Sequence, residues 1–172
     1  MNFIYRTPTL NDIEAICFLS EKTFRDTYSE FNTPENMEEH IARNFSRHQI
    51  EIELQDADCQ YFIIESDTKI VAFAKLQKEH STTGLEGKNV VEIERFYVDK
   101  NQQGQQLGRK LMEYCVEWAN ENNFETIWLG VWENNTNAIK FYQKMGFDFL
   151  SKHTFVLGTE EQTDFTMKKD LR

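Results

Sequence analysis

The stretch Val90 to Gly108, V-V-E-I-E-R-F-Y-V-D-K-N-Q-Q-G-Q-Q-L-G, concentrates the residue types that could do chemistry. Its second half sets Gly104, Gly108 and the amides Gln103, Gln105 and Gln106 at the entrance to an amphipathic segment that begins near Gly108. The first N–H groups of a helix have no partner inside it, and the aligned peptide dipoles leave roughly half a positive charge there. An anion at such a start meets ready-made donors. The glycines let the backbone approach a bulky diphosphate, the glutamines add neutral donors, and Arg109 with Lys110 sets cations where a helix ordinarily carries acids. An ordinary strand-to-helix turn with surface glutamines would use the same residues, so this stretch alone leaves both readings open. The first half reads as a strand on which Glu92 and Glu94 share a face under the two-residue period. Two carboxylates so placed raise the pKa of one and attract a cation.

Positioning these groups requires elements on either side. Phe3 to Arg6 reads as a short strand, and Thr9 caps a helix with Ile13, Ile16, Cys17, Ser20 and Phe24 on one stripe, ending near Tyr28. Thr33-Pro34-Glu35 starts a second helix that buries Met37, Ile41 and Phe45, and a third spans about Arg47 to Gln55. Gln60–Glu65 and Lys69–Lys78 form a hairpin through Ser66-Asp67-Thr68, followed by a polar loop from Glu79 to Asn89. The helix Gly108 to Asn122 carries Leu107, Leu111, Cys115 and Trp118 on one face, and Glu125 to Trp132 alternates as a strand, with Gly130 predicting a bulge or a close approach. Asn135 to Lys144 is a last helix closed by Gly146, before a hairpin of Phe149–Leu157 and Thr163–Lys168 through G-T-E-E-Q.

A length of 172 residues with 40% hydrophobic content predicts one domain, 1–172, with a proper core. No apolar run is long enough to span a bilayer and the start M-N-F-I-Y-R is not a signal peptide, so the expected address is the cytoplasm, with no membrane partner. The net charge of −10 argues against nucleic acid and suits a cationic partner. That charge is uneven, because residues 26–42 and 51–67 contain acids and no Lys or Arg; a solvated acidic surface gives the same pattern. Cys17, Cys59 and Cys115, with His40, His48, His80 and His153, show neither metal-ligand nor nucleophile-base spacing, so no metal is expected. The aromatic content is compatible with a homodimer, for which no motif speaks.

Two motifs stand together: Q-Q-G-Q-Q-L-G at 102–108 and N-N-T-N-A-I-K-F-Y-Q-K-M-G-F at 134–147. The pair resembles the GCN5-related N-acetyltransferase (GNAT) superfamily, whose members bind acetyl coenzyme A through a strand, a pyrophosphate loop and a later Asn-x-x-Ala…Tyr…Gly-Phe element. The resemblance covers Phe3 to Leu171 and implies an α/β (α+β) fold with a mixed central sheet splayed between its two central strands. More narrowly, K-T-F-R-D-T-Y at 22–28, I-E-R-F-Y-V, I-W-L-G-V-W-E and E-E-Q-T-D are similar to the bacterial PaiA-type polyamine acetyltransferases, which acetylate spermidine and spermine. The loop pattern, started at Gln103, departs from the family at Gln106, where glycine is usual.

Carried over residue by residue, the resemblance makes Glu94 the catalytic base, with Glu92 beside it, and Tyr142 the acid for the departing thiolate. The backbone of Phe96, Tyr97 and Val98 would pair with the pantetheine arm as an added strand. Gln103, Gly104, Gln105, Gln106, Leu107, Gly108 and Arg109 would hold the diphosphate, Asn135 and Asn137 the arm or its phosphates, and Lys144 either a phosphate or only water. Tyr28, Glu30, Glu35 and Glu38, with Glu92, would shape an acceptor site for a polyamine through charge and cation–π contact. Acetylation of a protein N-terminus, a lysine or another small amine is an alternative, and a non-catalytic coenzyme A sensor is another.

Overall fold

The computed structural model describes residues 2–102 and 104–171. Seven strands form one sheet in the order β1-β2-β3-β4-β5-β7-β6: β1 Phe3–Arg6, β2 Cys59–Ser66, β3 Lys69–Lys78, β4 Val90–Val98, β5 Thr126–Trp132, β6 Asp148–Leu157 and β7 Glu160–Asp170. All neighbours run antiparallel except β4 and β5. That parallel pair is joined by helix α4, Leu107–Glu121, the crossover that parallel strands require.

Alternation along the strands divides the core between two faces. Leu107, Leu111, Met112, Cys115 and Ala119 of α4 pack against Val91, Ile93, Ile127 and Leu129, together with Tyr142 and Phe147. On the other face Ile13, Ile16 and Leu19 of α1 (Ile13–Tyr28) and Ile50 of α3 (Arg47–Gln55) cover Tyr61, Ile63 and Phe73. Each such aliphatic side chain contributes roughly 1.5–3 kcal/mol by leaving water. Helix α2, Pro34–Asn44, buries Met37 and Ile41 against Phe24, Phe45 and Leu157, and α5, Thr136–Lys144, joins the α4 face.

Local chemistry sets the element ends. Thr33 and Ser46 accept from Asn36 N and Gln49 N, capping α2 and α3. Thr9 caps a 3-10 turn, Leu10–Asp12, that precedes α1. Asp67 and Thr68 both take positive φ, giving the tight β2–β3 hairpin. The last hairpin turns earlier than its sequence suggests, since Leu157 pairs with Glu160 and the segment 160–162 belongs to β7 rather than to the loop. Gly158 permits this with φ +60 and with Asn36 Oδ1 2.0 Å from where a Cβ would stand.

Candidate active site

The site begins with a bulge. Lys75 pairs with Arg95 but Leu76 pairs with Ile93, so Glu94 is an extra residue in β4. Pairing of β4 with β5 ends at the same level, at Ile93↔Leu129, although both strands continue, to Val98 and Trp132. The two central strands part there, and β4 from Phe96 to Val98 keeps its β3 partners while its other edge faces the opening. Gly130, read in the sequence as a bulge or a close approach, is not the bulge: it sits in unbroken register with Thr166, and the distortion belongs to Glu94. At Gly130 the neighbours that approach are the side chains of His153 and Asp164, 3.6 and 3.8 Å from where its Cβ would be.

The bulge also turns Glu94 and Arg95 to one face, where Glu92 already points. Glu94 accepts from Lys75 Nζ through both carboxylate oxygens at 3.0 Å. Lys75 in turn contacts Glu53 of α3 at 3.0 Å, and Glu53 holds Arg95 through two bonds of 2.8 and 3.0 Å and accepts from Tyr61 Oη at 2.5 Å. Glu92 has a different environment: its side chain is 12% exposed, the His80 imidazole abuts its Oε2, and that oxygen has no aligned hydrogen-bond donor among the described residues. Burial pushes the Glu92 carboxyl up to about 6, with Glu94 adding to the rise and His80 and Lys75 opposing it.

At the mouth of the crossover, Gly104 and Gln106 both take positive φ and deliver the chain into α4. Gln106 is the left-handed residue before the helix, which explains why glycine suits that position, and its side chain does not cap the first turn. Among the described residues the N–H groups of Leu107, Gly108 and Arg109 therefore have no side-chain acceptor, whereas α2, α3 and α5 are each capped by one. The cations expected here point elsewhere, Arg109 to Glu113 at 2.8 Å and Lys110 over the Tyr5 ring. Gln105 donates to Gln102 at 2.7 Å; Gln103 lies outside the described residues. Gly108 packs beneath Phe141 and Val98, which ties the helix start to α5 and to β4.

Tyr142 of α5 is buried against Phe96, Phe141 and Phe147, and burial pushes its phenol well above the ordinary value, so it stays protonated. Asn135 caps α5, accepting from Ala138 N at 3.3 Å, so its side chain serves the helix. Asn137 and Lys144 are exposed. On the acceptor side Tyr28 and Phe31 converge on Trp132, at ring separations of 5.6 and 4.8 Å. Glu30 lies beside them in an exposed turn, Glu35 faces solvent in the first turn of α2, and Glu38 is engaged by Arg25 at 2.7 Å. Sequence reasoning missed Asp164, Trp132, Lys75 and His80. Of these Asp164 and Trp132 left a signal, each lying in a segment read as a strand, Thr163–Lys168 and Glu125–Trp132, and the structure sets the two opposite each other.

A profile of the acetyltransferase (GNAT) family matches residues 21–147. An uncharacterized N-acetyltransferase from the pepI 3′ region of Lactobacillus delbrueckii subsp. lactis is 33% identical over 160 residues, covering 93% of this chain and 92% of the relative. The spermine/spermidine N(1)-acetyltransferase of Bacillus subtilis is 32% identical over 103 residues, 56% of this chain and 66% of its own. In three dimensions the PaiA N-acetyltransferase of Thermoplasma acidophilum, solved in complex with coenzyme A, matches with a TM-score of 0.82 over 99% of both chains at 20% identity, a likeness of fold. With a family profile over most of its length and a relative aligned nearly end to end, the chain belongs to the acetyltransferase (GNAT) family, and its chemistry is acetyl-CoA-dependent N-acetylation.

Proposed function

We propose that the acceptor is a short polyamine of the spermidine or spermine class, and that the chain acts on it as a single acetyltransferase domain. The observation that carries this is the composition of the sheet face where β4 and β5 part: Glu92 and Glu94 on β4, Asp164 on β7, Gly130 of β5 with no side chain between them, and Tyr28, Phe31 and Trp132 as an aromatic wall. A polyamine is a set of ammonium groups separated by methylenes, which is what carboxylates interleaved with rings accommodate. Burial holds the Asp164 carboxyl above the ordinary range, opposed by a bond from Gln162 and by His153, so a bound cation would favour its charged form.

The chain's own residues fit acetyl coenzyme A at two points. The free edge of β4 at Phe96, Tyr97 and Val98 offers backbone groups to an extended arm, and the uncapped start of α4 offers N–H groups to a diphosphate. The bound thioester supplies a carbonyl carbon that forms a bond to the amine nitrogen as its bond to sulfur breaks. Tyr142 supports that step as a neutral phenol able to give a proton to the leaving sulfur. An amine attacks only after losing a proton, and two features favour Glu92 over Glu94 as the base. Glu94 is held through both oxygens by Lys75, whereas Glu92 has a carboxyl near 6 and one oxygen without an aligned donor.

Thiol release measured over spermidine, spermine, a lysine peptide and an aminoglycoside tests the acceptor. Turnover confined to the polyamines is expected, and equal rates across the panel would sink the assignment. Tyr142→Phe should lower kcat roughly a hundredfold while calorimetric affinity for coenzyme A stays within a few-fold.

A further inference from the structure

We propose that His80 is the outlet through which Glu92 passes the acceptor's proton to bulk water. The inference rests on Glu92 as base and extends it, because a buried carboxylate that accepts a proton must lose it again before the next turnover. Glu92 is poorly placed to do so alone, because its side chain is only 12% exposed. The group lying against its Oε2 is His80 Nδ1, on a side chain that is 59% exposed. One end of the imidazole thus touches the buried acid while much of the ring is in water.

Several features hold the ring there. His80 follows β3, directly beside the start of β4, and its carbonyl accepts from Trp128 Nε1 at 2.9 Å. Trp128 is the cross-strand partner of Glu92, and its ring lies 5.9 Å from the imidazole. Trp128 thereby fixes the histidine to the strand that forms the splay. The charged groups facing Glu92 are His80 from the loop, Glu94 from its own strand and Lys75 from β3. Lys75 is committed to Glu53 and Glu94, and Glu94, although 32% exposed, is held by Lys75 through both oxygens, which leaves His80 as the facing group that is in solvent and not tied to Lys75.

The proton balance is simple. An ammonium N–H gives its proton to Glu92, the resulting acid gives one to Nδ1 of a neutral imidazole, and the imidazolium releases one from Nε2 to water. The cycle closes when the imidazole, 59% exposed, rotates to present Nδ1–H to water, where exchange restores the starting tautomer before the ring turns back. One proton enters and one leaves, and no oxidant or metal is involved. An imidazole is suited to this because it takes and gives protons near neutrality.

The test uses the whole chain, saturating acetyl coenzyme A and the fastest acceptor of the panel. His80→Ala keeps the carbonyl that Trp128 needs, so the loop anchor survives. It should lower kcat roughly tenfold with KM within twofold, a fraction of the hundredfold or more that a direct acid-base group supplies. Added imidazole should restore kcat in a concentration-dependent way, which a purely structural role would not allow. The acidic limb of the pH profile should also move upward, because His80 opposes the rise in the Glu92 pKa. Unchanged kcat in His80→Ala, or a loss that imidazole does not restore, overturns the relay. Glu92→Gln separates the two ideas: wild-type turnover in that variant removes the base and the relay together, whereas its inactivity beside a fully active His80→Ala removes the relay alone.

Discussion

At the scale of single residues, Glu92 makes the sharpest demand. Burial moves its carboxyl from 4.5 to about 6, which corresponds to about 2 kcal/mol of preference for the protonated form in the folded chain. A raised carboxylate supplies stability that is complete below about pH 4.5 and is lost as pH rises through about 6. Glu92→Gln removes that pH dependence. Denaturant midpoints at pH 4 and pH 8 should therefore show the variant gaining about 2 kcal/mol on wild type at the higher pH, and equal offsets at both would refute the argument. The same ionisation should set the acidic limb of kcat/KM near 6. Gln106 makes the second demand. With φ +59 it occupies a region that costs a side chain about 1 kcal/mol, so Gln106→Gly should raise stability by up to that amount. If the amide side chain crowds the diphosphate, calorimetry will also show tighter coenzyme A binding; if it donates, weaker.

At the scale of elements, the glycine-rich turn into α4, the last helix and the ends of α3 were legible because caps, glycines and apolar spacing are local. The bulge was not. It goes with Arg95 and Lys75 meeting Glu53 while Lys75 also holds Glu94, and Glu53 lies 42 residues before Arg95. Glu53 is 5% exposed and is held below the ordinary carboxylate range, burial being outweighed by Arg95, Gln49, Tyr61 and Lys75. Removing it would leave the buried Arg95 with Glu94 at 3.8 Å as its only acid among the described residues and take one of two acids from Lys75, so Glu53→Ala should cost about 3–5 kcal/mol in urea unfolding. Removing the exposed Glu39–Arg43 pair should cost under about 1 kcal/mol. Comparable losses for the two would mean that α3 is not what pins the bulge. The cations Arg109 and Lys110 show the opposite failure of local reading: their types suit an anion site, but Glu113 and Tyr5 are nearer partners.

At the scale of the molecule, the acceptor opening draws on residues that no window of sequence contains: Tyr28 from α1, Trp132 from β5 and Asp164 from β7. A strand order of β5-β7-β6 brings Asp164 opposite Trp132, and the loss of β4–β5 pairing beyond Ile93 keeps Glu94 on the far side of the gap. The acids that the resemblance put in the acceptor site, Glu35 and Glu38, instead face solvent or Arg25, because a shared helical region does not fix which way each side chain is turned. Net charge of −10 still draws cations toward the whole surface, so affinity for any polyamine should weaken as salt is added. That general attraction and the specific role of Asp164 separate cleanly. Asp164→Asn changes the net charge by one and retains the shape of the site. If Asp164 holds the ammonium remote from the reacting nitrogen, KM for spermidine should rise roughly tenfold, the value of one charge-assisted hydrogen bond. KM for a monoamine of similar length should change by less than about twofold, because it has no second cation to lose. A parallel rise for both amines would show that the acid acts only through the overall field.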